Sequence, residues 1–204
     1  MSATAKHMPG KGAAPETGAA SAGSGLTEAF LAAFRHHPSG VAIITAEGTE
    51  GPVALTVSSL ISISASPPMV AFSLSASSSS AKVVERAASV VVHFVRRADM
   101  ELARLCATSG KDRFGSDVRW SRLESGEPYY PQVELWFRAE LRGRLETPGA
   151  CLVTAELTSV SAGAHATRQA EALVYSNRAW HALGSVVDTA SAPVLLWPDD
   201  SATF

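Results

Sequence analysis

Cysteine is nearly absent: Cys106 and Cys151 are the only two among 204 residues, far apart and outside any CxxC or CxxH spacing. That excludes a disulfide framework and a paired-thiolate zinc site. Two lone thiols suit a reducing compartment, so the expected location is cytoplasmic. No apolar run is long enough to cross a bilayer, and no continuous apolar leader opens the chain, so a soluble protein is expected. The net charge is only -2, and Lys and Arg form no block. Neither nucleic acid nor an anionic membrane is therefore expected as a partner. No GxGxxG follows a strand-like segment, no GxxxxGK[ST] occurs, and there is no GxSxG elbow or HExxH pair. The six histidines are dispersed, and His36 and His37 read as residues closing a helix, where the dipole favours them. No catalytic side chain and no metal site is assigned.

Apolar residues make up 46% of the chain, enough to close a core in one domain. Residues 1–25 are Ala, Gly, Ser and Pro with almost no large apolar side chain, and read as a disordered tail. A second polar tail is expected over 185–204, leaving a domain at 26–184. LTEAFLAAFRHH spaces Leu26, Phe30, Phe34 and His37 as a helix, with Thr27 as N-cap and Pro38-Ser39-Gly40 as its stop. Val41–Ala46 and a long strand from Pro52 to Ser64 form a hairpin around Glu47–Gly51. In that second strand Val53, Leu55, Val57, Ile61 and Ile63 share one face, whereas Thr56, Ser58, Ser62 and Ser64 share the other. One face builds core and the other presents hydroxyls.

Further strands are expected over Met69–Ser75, Val90–Val95, Leu135–Glu146 and Cys151–Ser161, with helices over Ala81–Ala88 and Asp99–Ser109. A last hairpin turns at Ser176-Asn177-Arg178. About seven short alternating strands and three helices point to a mainly β barrel or sandwich, not a parallel doubly wound sheet.

SASSSSAK, Ser75 to Lys82, passes from a strand-like segment directly into a helix-like one. That position favours a site over a spacer. A phosphate needs short donors converging on it: hydroxyls, amides at a helix N-terminus and a cation. Ser77 to Ser80, Ala81 and Lys82 supply all three, with Thr56 and Ser58 one connection earlier. A plain turn and N-cap is the competing local reading.

The blocks FxxxPSGVAIIT, ALTVSSLISISASPPMVAFSLSASSSS, VVVHFV, GKDRFGSD and ALVYSNRAWHAL, in this order, resemble the flavin reductase-like family of FMN-binding split β-barrels over about residues 27–184. The resemblance implies a homodimer with FMN, or alternatively FAD, as cofactor and NAD(P)H as co-substrate. It implies an NAD(P)H:flavin reductase that supplies reduced flavin to an oxygenase component of a two-component monooxygenase. The open alternative is a flavin-binding carrier or accessory protein without turnover. It also implies that Thr56, Val57, Ser58 and Ser59 lie along the flavin ring with Ser73, Leu74 and Ser75 beside them. Ser78, Ser79 and Ser80 match the Ser/Thr cluster at the FMN phosphate, beside which the local reading sets Lys82. Lys111 and Arg113 match basic residues near phosphate or dinucleotide, Phe114 their neighbour, and Tyr175 and Trp180 the closing aromatics. This chain departs from the pattern in carrying Ser58 and His93 where Asn is frequent, and Gly149-Ala150-Cys151 where many reductases have Gly-Asp-His.

Overall fold

A computed structural model describes residues 22–162 and 171–183. The expected C-terminal tail and most of the expected N-terminal one lie outside the described residues. Two units are distinguished, residues 1–36 and 37–204. In the first, α1 (Ala22–His36) starts ahead of the expected cap at Thr27. Gly23 and Gly25 masked its first turn in the sequence, since glycine disfavours a helix by only about 1 kcal/mol and a favourable continuation absorbs it. Arg35 and His36 close the last turn, where the dipole favours positive charge. Phe30 and Phe34, one turn apart, bring their rings to 4.6 Å.

In the second unit the strands are β1 (Ser39–Gly40), β2 (Ala42–Gly48), β3 (Gly51–Val57), β4 (Ile61–Ala65), β5 (Pro68–Ser75) and β6 (Ser89–Phe94). After them come β7 (Ser121–Arg122), β8 (Pro128–Tyr129), β9 (Trp136–Thr147), β10 (Ala150–Val160), β11 (Leu173–Ser176) and β12 (Ala179–Ala182). Helix α2 (Ser79–Arg86) follows β5, and α3 (Met100–Ala107) follows β6 after a 3-10 turn. Seven strands form one antiparallel sheet in the order β3-β2-β6-β9-β10-β5-β4. The sequence pattern undercounted strands because β1, β7 and β8 have only two residues each, too few for alternation to register.

Strand β2, between β3 and β6, is buried from Ala42 to Ala46 because each of its faces meets a different core. Ala42, Ile44 and Ala46 join one cluster with Val57, Phe72, Val84 and Val92. Val41 and Ile43 join the other with Ala103, Cys106, Tyr130 and Leu173. His93 lies on this second side, fully buried: its Nδ1 faces the Ile43 carbonyl at 3.2 Å, and its Nε2 accepts the Tyr130 N–H at 3.0 Å. The imidazole is thus neutral, with one nitrogen donating and the other accepting.

The expected long strand from Pro52 to Ser64 is two strands at opposite ends of the sheet order. Only Ser58, Ser59 and Leu60 join them, and the four steps from Val57 to Ile61 reach at most about 14 Å. Six flat inter-strand spacings amount to about 29 Å. The sheet must therefore roll until its edges meet, yet β3 and β4 exchange no ladder hydrogen bonds: it is a split barrel. Ile61 and Ile63, expected in the core, are 57% and 47% exposed, because the break hands them to an edge strand.

One side chain bridges the split. Ser59 Oγ accepts the Ser73 N–H at 2.9 Å and donates to the Ser73 carbonyl at 3.3 Å, as a strand partner would. Ser59→Ala removes both bonds from an exposed segment, so urea unfolding is expected to show a loss of about 1 kcal/mol. An unchanged midpoint would mean that water replaces the clasp without cost.

The smaller sheet, in the order β1-β11-β12, contains the expected last hairpin. Its turn residues Asn177 and Arg178 have φ of 49° and 58°, the positive pair that a two-residue hairpin requires.

Candidate functional site

Where β3 ends, the chain enters Ser58 and Ser59; where β5 ends, it enters the serine run. Ser78 has extended geometry (φ -87°, ψ 123°), and its Oγ accepts the Ala81 N–H at 3.2 Å, capping α2. The Ser78 N–H is donated to the Ser75 carbonyl at 3.1 Å, and the Ser75 and Ser77 hydroxyls lie 2.8 Å apart. The serines are therefore a turn and a cap, and Ser75 and Ser78 among them also line a cavity.

That cavity, about 450 Å³, is within the range of small-molecule sites. It brings together Thr56, Val57, Ser58 and Ser59 from one edge of the barrel and Ser73, Leu74 and Ser75 from the other. Ser78 and Arg113 complete the expected residues that line it. Six serines and one threonine face the space with one arginine and no carboxylate. The balance of groups favours an anionic or polar ligand.

Arg113 is held from several sides. Its Nη1 donates to Ser80 Oγ at 3.2 Å and its Nη2 to the Thr108 carbonyl at 2.8 Å. The Tyr130 hydroxyl donates to the Arg113 carbonyl at 2.9 Å. Its Nε is buried and has no acceptor. A buried donor without a partner is costly unless a ligand supplies the acceptor. The amides of Ser79 and Ser80, in the first turn of α2, have no intrahelical acceptor either. Of these donors only Arg113 belongs to the cavity wall, which carries no carboxylate and so suits a phosphate.

A second cleft of about 470 Å³ lies by Arg96, Arg97, Gln132, Glu134 and Glu171. Its arginines are already paired, Arg96 with Glu134 at 2.6 Å and Arg97 with Glu171 at 2.7 Å. It offers an anion no comparable surplus.

Other expected residues fall elsewhere. Ser80 is buried behind the wall, against Arg113, while Ser79, Lys82 and Lys111 are exposed and do not line the cavity. Phe114 stacks on Tyr130 at 5.6 Å and meets Trp120 edge-on at 5.1 Å, packed against the second core. Tyr175 and Trp180 face each other across the β11–β12 pair at 5.2 Å, also against that core. All three aromatics are packing residues here. Thr56 lines the cavity, but its hydroxyl donates to the Ala103 carbonyl of α3 at 2.7 Å, so the supposed hydroxyl face of β3 is partly covered by a helix.

The sequence reading missed Cys106, Ala107 and Ser109, which the end of α3 brings to the cavity without any motif to announce them. Burial pushes the Cys106 thiol up to about 11, and the Tyr130 hydroxyl and the Arg113 charge only partly offset it. The thiol is therefore protonated at neutral pH and is no nucleophile. Gly149 and Ala150 also line the cavity, at the turn before β10. The Gly149 carbonyl accepts the Ala76 N–H at 3.0 Å, which ties this turn to the serine loop. Cys151 is 4% exposed within the first core, an ordinary small buried residue.

A protein-family comparison matches residues 34–184 to the flavin reductase like domain. A curated NADH:FMN oxidoreductase of Rhodococcus erythropolis is 32% identical over 146 residues, covering 72% of this chain and 76% of the relative. A stachydrine N-demethylase reductase subunit of Rhizobium meliloti is 26% identical over 132 residues, 64% of this chain and 57% of its own. Among solved structures, a flavin reductase domain protein from Arthrobacter superimposes with a TM-score of 0.73 at 28% identity, over 80% of this chain and 99% of that one.

Proposed function

Since the chain belongs to the flavin reductase-like family, matched over residues 34–184, we propose that it is an FMN-dependent NADH:flavin reductase that passes reduced flavin to an oxygenase partner. The observation that carries this reading is the carboxylate-free cavity, walled by hydroxyls and holding an arginine with an unsatisfied buried N–H. Arg113 and Ser78, which line the cavity, hold the phosphate, and the segments 56–59 and 73–75 flank the ring. When bound, the flavin supplies the acceptor for hydride from the nicotinamide. The protein's part is to orient the two rings and exclude water, which needs no catalytic acid, base or nucleophile. The partner is supported by the relative that is itself a reductase subunit. Cytoplasmic location agrees with two free buried thiols. Exposed Ile61, Ile63, Leu145 and Val160 on the large sheet support a homodimer that covers them. Light scattering with and without FMN is expected to give a dimer, and a monomer in both conditions counts against it.

Gly149 and Ala150 favour a second reading, because that part of the wall carries no titratable side chain to meet a nicotinamide. On this reading the protein carries flavin without turning it over. Mixing purified protein with FMN and NADH separates the two. Steady loss of NADH absorbance supports the reductase, flavin binding without NADH oxidation supports the carrier, and the absence of both removes the pair.

A further inference from the structure

Ser80 sits in the serine run, yet its side chain does not line the cavity; it is buried to 7% exposure and accepts from Arg113 Nη1. The other arm of the guanidinium is pinned to the Thr108 carbonyl, just past α3. Behind them, fully buried Tyr130 fixes the arginine's own carbonyl through its hydroxyl, while its N–H is held by His93. A free arginine side chain would lose considerable rotamer entropy on gripping a phosphate, and one already held by its surroundings loses less. Two arms and the backbone of Arg113 are thus fixed before any ligand arrives, while Nε remains unpartnered.

We propose that Ser80 and Tyr130 are positioning residues: they do not touch the flavin but hold Arg113 in its phosphate-binding pose, and so set the preference for a phosphorylated flavin over riboflavin. The inference rests on the phosphate reading of Arg113 given above. Ser80 thereby leaves the group of direct phosphate donors, in which its place in the SASSSSAK run had put it.

Fluorescence titration of the full chain with FMN and with riboflavin tests it, in wild type, Ser80→Ala, Arg113→Ala, the double variant and Tyr130→Phe. Ser80→Ala is expected to weaken FMN about tenfold and to leave riboflavin within about twofold, since a hydrogen bond to a charged group is lost only where that charge is used. In the Arg113→Ala background the same change should alter FMN affinity by less than about twofold, because the residue acts through the missing arginine. Tyr130→Phe, which keeps the ring packing, should weaken FMN about threefold with riboflavin unchanged. The inference is overturned if Ser80→Ala costs as much without Arg113 as with it, which would mean direct contact with phosphate. Equal loss of riboflavin and FMN would mean a merely structural role and overturns it too, as does FMN binding that neither variant moves. A wild type that binds riboflavin as tightly as FMN removes the phosphate reading itself, and that result is separable because it appears before any substitution.

Discussion

Arg113→Ala is expected to raise the FMN dissociation constant about a hundredfold, since one or two charge-assisted hydrogen bonds to a phosphate disappear. Riboflavin, which lacks the phosphate, should bind within about threefold of wild type. The same substitution frees Ser80 Oγ and the Thr108 carbonyl, so chemical denaturation should show a loss of about 1 kcal/mol, small beside the effect on the ligand. Arg113→Lys should fall between, because an ammonium keeps the charge but lacks a fork that can serve Ser80, Thr108 and a ligand together. With saturating FMN, NADH oxidation by Arg113→Ala should recover most of its maximal rate, since the arginine contributes to binding and not to hydride transfer. A loss of maximal rate that FMN cannot restore would place Arg113 at the nicotinamide instead. Equal weakening of FMN and riboflavin would remove it from the phosphate altogether.

Alternation along β9 and β10, the β-branched character of β6 and the Asn-Arg turn of the last hairpin are local signals, and each was legible in the sequence. So were the two stretches of cavity wall, because hydroxyls gathered on otherwise apolar strands are unusual. Partnership was not legible. PVALTVSSLISIS breaks its alternation only at Ser59 and Leu60, and nothing local shows that the chain there leaves one edge of the sheet at Val57 and joins the other at Ile61. Ser79 and Ser80 are adjacent in sequence, but the helix turns one toward solvent and the other toward Arg113. Motif matching assigns such neighbours one role, whereas helical geometry separates them by about a hundred degrees. Phe114, Tyr175 and Trp180 show the reverse: aromatic residues beside a site in motif order that pack away from it in space. The wall supplied by Cys106, Ala107 and Ser109 depends wholly on tertiary placement of α3, and no spacing rule predicts it.

His93 gives the second large effect. Burial pushes its pKa from 6.5 down to about 4, and the hydrogen bond to the Ile43 carbonyl offsets only part of the cost of charging it. Protonation would also turn Nε2 from an acceptor into a donor facing the Tyr130 N–H. Because the folded pKa lies below the unfolded one, the unfolded chain takes up a proton between these two values while the native protein does not. The contribution is therefore complete above pH 6.5 and is lost as pH falls toward 4. The difference of pKa corresponds to about 3 kcal/mol. Carboxylates titrate in part of the same window, so the informative quantity is the difference between wild type and His93→Asn, measured as urea unfolding free energy against pH. Asn cannot titrate, and it retains a polar group of smaller reach. The variant should be less stable at neutral pH by about 1–3 kcal/mol, from the cavity and the weakened hold on Tyr130. Its curve should nevertheless converge on that of wild type, or cross it, as the pH approaches 4. Parallel curves would show that the folded imidazole takes up its proton as readily as the unfolded one, and the buried bridge between Ile43 and Tyr130, which protonation would break, would then be wrong.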